Sequence, residues 1–189
     1  AALKQVPAAE YNPFECIKTN VLGAQNIVDA AIENKVKRIL ALSTDKAALP
    51  INLYGASKLV SDKLITAANN IVGKEDIKFS VVRYGNVLNS RGSLVPFLLK
   101  IKKAGEKVFP LTHPDMTRFW ITLDQATNFV LGSFNLMKGG EIFVPKIPSI
   151  KIVNLMKAID PRVKFKNIGI RPGEKIHELM CPADSAYNT

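Results

Sequence analysis

Thr44, Asp45 and Lys46 stand together directly after the apolar run Arg38-Ile39-Leu40-Ala41-Leu42-Ser43. A carboxylic acid of raised pKa can protonate a leaving hydroxyl, and an amine of lowered pKa can take a proton from a carbon beside a carbonyl. Side by side, the two suit an elimination of water. Tyr54 and Lys58 follow at a spacing that puts them on one face of a helix. A nearby ammonium favours the phenolate of a tyrosine and moves its pKa toward neutrality. Such a phenolate can take the proton of a sugar hydroxyl while hydride leaves the same carbon for a nicotinamide, and the lysine can hold the cofactor's ribose. Each pattern also has an ordinary explanation, a strand-end turn with a capping aspartate or a solvent-facing helix pair. The combination of a redox pair and an elimination pair within 44–58 gives both their weight.

The elements that must position these groups read as alternating helices and strands. Asn12-Pro13-Phe14-Glu15 predicts a capped helix start, and apolar residues then recur at helical spacing through Ile32. A buried strand is expected over 38–43, a helix over 52–71 and a strand over 78–83. Helices follow over 93–103, 123–137 and 149–159, the last capped by Ser149, with short strands over 107–111, 141–144 and 163–168. This order predicts an α/β fold with a parallel sheet covered on both faces. Ligands of such sheets bind outside the carboxyl ends of the strands, so 43–46 and 84–87 are the loops to watch. No glycine-rich dinucleotide turn occurs among the 11 glycines.

The 189 residues, 47% hydrophobic, suffice for one packed domain, and no apolar run is long enough to span a membrane. The net charge of +10 is spread along the chain with no block of like charge and no interleaved aromatics. Nucleic acid is therefore not the expected partner. Cys16 and Cys181 match no metal or redox spacing and read as reduced cytosolic thiols.

The stretches Leu42-Ser43-Thr44-Asp45-Lys46-Ala47, Pro50-Ile51-Asn52-Leu53-Tyr54-Gly55-Ala56-Ser57-Lys58 and Val82-Arg83-Tyr84-Gly85-Asn86-Val87 carry a resemblance. So do Asn89-Ser90-Arg91-Gly92-Ser93, Met116-Thr117-Arg118-Phe119-Trp120 and Arg171-Pro172-Gly173-Glu174-Lys175. In this order they resemble the extended short-chain dehydrogenases of the polysaccharide-biosynthesis type. Within them, the soluble UDP-N-acetylglucosamine 4,6-dehydratases that invert C5 are the nearest branch. Tyr54 points to that branch, since the membrane-attached relatives that retain C5 configuration tend to place methionine there. Leu49 departs from the polar residue expected before the Pro-x-Asn motif.

The resemblance implies a Rossmann-type doubly wound parallel sheet. It implies the C-terminal part of that sheet, with the glycine-rich half missing upstream of Ala1, and part of a small substrate-binding region. On this reading 1–110 form the catalytic part of the dinucleotide domain, and 111–189 form the nucleotide-sugar region interleaved with the last Rossmann elements. The implied cofactor is NADP, with NAD possible. The implied catalytic residues are Thr44, Asp45, Lys46 and Tyr54. Leu42, Ser43, Tyr54, Lys58, Val87, Leu88, Asn89, Ser90 and Arg91 are implied on the cofactor side. Lys4, Asn86, Leu94, Thr112, Arg171 and Glu174 are implied on the UDP-sugar side, with Arg171 suited to a diphosphate and Glu174 to a ribose hydroxyl.

The implied reaction oxidises C4, with Tyr54 taking the hydroxyl proton and Thr44 supporting the oxygen. Lys46 then removes the C5 proton, Asp45 protonates the departing C6 hydroxyl, and hydride returns to C6. A metal, a membrane and nucleic acid have no part in this scheme, and a cytoplasmic homo-oligomer is expected. An internal fragment is expected to bind NADP poorly and to turn over little. Two other readings stay open. A nucleotide-sugar 4-epimerase needs Tyr54 and Lys58 but not the Asp45-Lys46 pair, and a non-catalytic binding module needs none of the five.

Overall fold

The computed structural model describes residues 2–189, apart from the side chains of Asp184 and Asn188. The chain begins with helices α1 (Val6–Tyr11) and α2 (Pro13–Ile17), a π-helical turn (Lys18–Leu22) and α3 (Gly23–Glu33). Then come β1 (Arg38–Thr44), α4 (Leu53–Ala67), β2 (Lys78–Tyr84), β3 (Asn86–Val87), α5 (Leu94–Lys103) and β4 (Val108–Leu111). The remainder is β5 (Thr117–Ile121), α6 (Leu123–Leu136), β6 (Ile142–Phe143), β7 (Ser149–Lys151), α7 (Ile152–Ile159) and β8 (Lys164–Asn167).

These elements form two compact units. One comprises residues 1–84, 127–145 and 179–189, and the other 85–126 and 146–178. The chain passes from the first unit to the second between Tyr84 and Gly85.

The first unit holds the parallel sheet, in the order β1-β2-β6. In β2 every residue from Phe79 to Arg83 is buried, as expected of a central strand covered on both faces. Val28 and Ala31 of α3 and Ile65 of α4 pack on Phe79, Val81 and Ile142. β1 and β2 run in register from Arg38 opposite Lys78 to Thr44 opposite Tyr84, so Ser43 lies opposite Arg83. The loop that follows β1 is therefore carried at the carboxyl end of a parallel sheet.

Asn52 starts α4, its Oδ1 accepting the backbone N–H of Gly55 at 2.7 Å. The expected cap at Asn12 does not form, because Asn12 has no side-chain cap bond and closes α1 instead. Glu15 pairs with Lys18 (3.1 Å) rather than completing a capping box.

The second unit is mixed rather than purely parallel. β5 pairs with β3 in parallel and with β7 antiparallel, and β4 pairs with β8 in parallel. Its core gathers Leu98, Phe109, Leu111, Met116, Trp120, Ile152 and Met156. The helix expected to start at Ser149 starts at Ile152, and Ser149–Lys151 is a strand. Pairing of Ser149 with Phe119 and of Lys151 with Thr117 outweighs the local capping preference.

Candidate active site

The site is built where β1 ends and α4 begins. Asp45, Lys46 and Ala47 form one 3₁₀ turn, with Thr44 as its cap. Lys46 Nζ donates to Asp45 Oδ1 at 3.0 Å, and the Thr44 hydroxyl donates to the same oxygen at 3.0 Å. The Asp45 side chain is completely buried, while that of Lys46 keeps 22% of its surface exposed. Asp45 Oδ2 is buried with no hydrogen-bond partner among the described residues. An acid and an amine that the sequence places side by side are thus in direct contact.

Gly55 brings α4 against this turn. A methyl group at Gly55 would lie 2.3 Å from the Lys46 carbonyl oxygen. Only a glycine permits that approach, which sets Tyr54 beside Thr44. The Thr44 hydroxyl lies beside the Tyr54 phenol and acts to lower its pKa. Burial acts the other way and dominates, and Asp45, Asp62 and Tyr84 add to it, so the pKa is pushed up to about 12. The expectation that Lys58 brings this phenol toward neutrality is not met. Lys58 Nζ donates to the Leu42 carbonyl at 2.8 Å, and burial lowers the lysine's own pKa against the opposing charge of Asp62.

The buried stripe of α4 is mostly polar where it faces the site. It runs Tyr54, Ser57, Lys58, Ser61, Asp62 and only then Ile65. Ser57 donates to the Tyr54 carbonyl (2.8 Å) and accepts from Asn20 (2.9 Å). Asn20 also grips the backbone of Leu3 twice, donating to its carbonyl (2.9 Å) and accepting its N–H (2.8 Å). Asn20 thereby ties the segment before Lys4 to the helix that carries Tyr54. Lys4 itself is exposed.

The remaining expected residues lie in the second unit. Val87, Leu88, Asn89 and Ser90 line a cavity of about 400 Å³ together with Thr122 and Leu123. Asn89 adopts a left-handed φ of 59°, which turns the chain there. Arg91 is exposed, and Asn86 and Leu94 are half-buried. Thr112 donates to Met116 Sδ at 3.2 Å. Arg171 and Glu174 bind each other, Arg171 Nε donating to Glu174 Oε1 at 3.0 Å. The loop carrying them is fixed from below by Arg118, whose guanidinium donates to the carbonyls of Lys175 (2.9 Å) and Ile176 (3.2 Å).

A family model described as polysaccharide biosynthesis protein matches residues 1–189. The chain belongs to this family. Among its relatives is the UDP-N-acetylglucosamine 4,6-dehydratase (inverting) of Campylobacter jejuni subsp. jejuni serotype O:23/36 (strain 81-176), 59% identical over the whole chain. The UDP-glucose 4-epimerase of Rickettsia canadensis (strain McKiel) is 43% identical over 97% of the chain. The chain spans 57% of the length of the first and 55% of the second.

Among solved structures, Pen from Bacillus thuringiensis superposes with a TM-score of 0.90 at 39% identity, over 95% of this chain and 58% of its own. DesIV, a dTDP-glucose 4,6-dehydratase from Streptomyces venezuelae with NAD and TYD bound, gives a TM-score of 0.85 at 19% identity. That match covers 97% of this chain and 63% of DesIV, and it shows the shared fold. The fold is accordingly the Rossmann-like α/β fold with a parallel sheet. The placing of the chain as the C-terminal part of such a domain conflicts with its match to the longer relatives and is withdrawn.

Sequence reasoning missed four residues of the site. Asn20 falls on the buried stripe Cys16, Asn20, Ala24, Val28, and a polar residue on such a stripe is a readable signal. Asp62 sits one turn beyond Lys58, and Arg83 is a charge inside a strand. Gly55 gave no sign, because its role depends on a carbonyl from another element.

Proposed function

We propose that this chain carries the catalytic centre of a 4,6-dehydratase acting on UDP-N-acetylglucosamine with inversion at C5, for surface-polysaccharide or flagellin sugars. The 3.0 Å contact of Lys46 with the buried Asp45, beside Thr44 and Tyr54, carries this reading. Transfer of one proton across that contact turns the pair into a neutral amine and a carboxylic acid with no net proton gained. The amine then takes the C5 proton and the acid gives its proton to the C6 hydroxyl, which leaves as water. The step itself restores the starting state of the Lys46–Asp45 pair.

The residues present fit a nicotinamide dinucleotide. Lys58 gives one of its three N–H groups to the Leu42 carbonyl, so two can donate to ribose hydroxyls. Leu42 is half exposed at the strand end and offers an apolar surface to a flat ring. When bound, the cofactor accepts the C4 hydride and returns it to C6. Tyr54 would take the C4 hydroxyl proton as its phenolate, which requires the positive charges of Lys58 and of the bound nicotinamide to offset the burial that raises its pKa, and Thr44 would hold the oxygen. NADP rather than NAD is the proposed form, and Ser43 and the 87–91 loop are proposed to line its site. Lys4, Asn86, Leu94, Thr112, Arg171 and Glu174 are proposed to hold the UDP-sugar. For that, Arg171 must exchange Glu174 for a diphosphate oxygen.

A cytoplasmic homo-oligomer completes the proposal. Phe14, Leu22 and Ile27 are at least half exposed along α2–α3, and Val60 on α4 is 44% exposed, which supports association through these helices.

The 43% identity to a protein named UDP-glucose 4-epimerase favours a second reading. One experiment separates the two. The full-length protein is incubated with UDP-N-acetylglucosamine and catalytic NADP in heavy water and followed by proton NMR. A 4-keto-6-deoxy product with deuterium at C5 and the L-arabino configuration supports dehydration with inversion. Scrambling at C4 alone gives the epimerase.

A further inference from the structure

Asp62 is 2% exposed, yet it is a carboxylate on the face of α4 that packs on the sheet. Ser43 donates to its Oδ2 at 2.7 Å, and Arg83, itself fully buried, donates to the same oxygen at 3.2 Å. Arg83 also donates to the Met180 carbonyl at 3.2 Å. Asp62 Oδ1 and Arg83 Nε have no hydrogen-bond partner among the described residues. A buried ion pair with bare polar atoms on both partners is a poor stabiliser, and apolar residues of similar volume generally serve as well or better. Ile65, one turn further along the same stripe, shows that the face accepts them. The charge therefore calls for a reason other than packing.

The reason lies one turn back. Tyr54, Lys58 and Asp62 recur at four-residue spacing, so Asp62 stacks behind Lys58 on the same face. Lys58 is 8% exposed, and among the described residues its ammonium donates to a neutral carbonyl, that of Leu42, and makes no ion pair. We propose that Asp62 is a positioning residue for the Tyr54–Lys58 pair: a fixed counter-charge for the buried Lys58 ammonium, oriented by Ser43 and Arg83. Through Ser43 the same carboxylate fixes the strand end whose Leu42 carbonyl holds Lys58.

The charged and titratable groups around this pair are Asp62 on α4, Arg83 and Tyr84 on β2, and Asp45 and Lys46 on the turn after β1. Of these, Asp62 is the one whose charge acts on Lys58 against burial.

The inference rests on the dehydratase reading only for the use made of Lys58, and its test needs no substrate. Full-length protein labelled at lysine with ¹³C and ¹⁵N is titrated by NMR, with Lys58 assigned by the loss of its signal in Lys58→Arg. In Asp62→Asn the Lys58 midpoint falls by at least about one pH unit, as removal of a counter-charge one helical turn from a buried amine requires. Asp62→Glu, which keeps the charge, holds the midpoint near that of the native protein. An unmoved midpoint in Asp62→Asn, or an equal fall in Asp62→Glu, overturns the proposal. If Asp62→Asn does not fold, the native protein decides: an ammonium at pH 7.5 supports the counter-charge, and a neutral amine overturns it. Where dehydratase turnover is found, both limbs of the Asp62→Asn pH–rate profile move to lower pH. A merely structural role lowers the profile without moving it. Absence of turnover in the native protein sinks the functional reading and leaves the titration standing.

Discussion

Gly55 and Lys46 touch through their backbones, so closely that a methyl group on Gly55 would lie 2.3 Å from the Lys46 carbonyl oxygen. That approach fixes the distance between the helix bearing Tyr54 and the turn bearing the acid and the amine. Gly55→Ala must push the two apart, since neither backbone can yield locally. Overpacking of this kind costs about 1–3 kcal/mol, and a displacement of about 1 Å at reacting groups can cost about 100-fold in rate. Thermal unfolding and turnover of the full-length variant check both, and turnover near the native level would show that the contact does not position Tyr54.

Asp45→Asn and Lys46→Ala remove the two halves of the elimination pair and leave Tyr54 and Lys58 in place. Each is expected to lower dehydration by about 100- to 10,000-fold, the range for loss of a general acid or base. Oxidation at C4 should persist and show as slow reduction of a stoichiometric cofactor at 340 nm. Undiminished 4-keto-6-deoxy product from Lys46→Ala would end the assignment of Lys46 as the C5 base.

The Tyr54 phenol, pushed up to about 12 by burial, links stability to pH in the alkaline range. Between its unfolded value near 10 and its folded value the native state holds a proton that the unfolded chain has lost. Stability from this group is therefore complete below about pH 10 and is lost as the pH rises through about 12. Tyr54→Phe should flatten the fall in unfolding free energy over this window. Urea melts from pH 9 to 11.5 on both proteins test it, and parallel curves would refute the burial argument.

Leu49 is 60% exposed and holds a φ of 45°, in the left-handed region that a branched side chain disfavours. Leu49→Gly should relieve about 1 kcal/mol of strain, seen as a melting temperature raised by a few degrees. A lowered melting temperature would mean that the leucine side chain packs more than its exposure suggests.

The residues of the reaction were legible because their message is local. Thr44-Asp45-Lys46 is contiguous, Tyr54 and Lys58 are one helical turn apart, and the periodicities of β1, β2, α4 and α6 are carried within each segment. The short strands β4, β6 and β8 were legible, but β3, β5 and β7 were not, because they are set by one another, β5 pairing with β3 on one side and β7 on the other. The Ser149 region looked like a capped helix until β5 claimed it. The ionisation of Tyr54 was misread for a related reason. Spacing shows which group is near in the helix, but desolvation depends on everything packed around it. Likewise the Ser43–Asp62–Arg83 network joins β1, α4 and β2, and only folding brings their side chains together. The sequence by itself determined which chemistry the chain can hold. The tertiary structure decided which charges are buried and what faces them, because burial and long-range contact are properties of the packed chain.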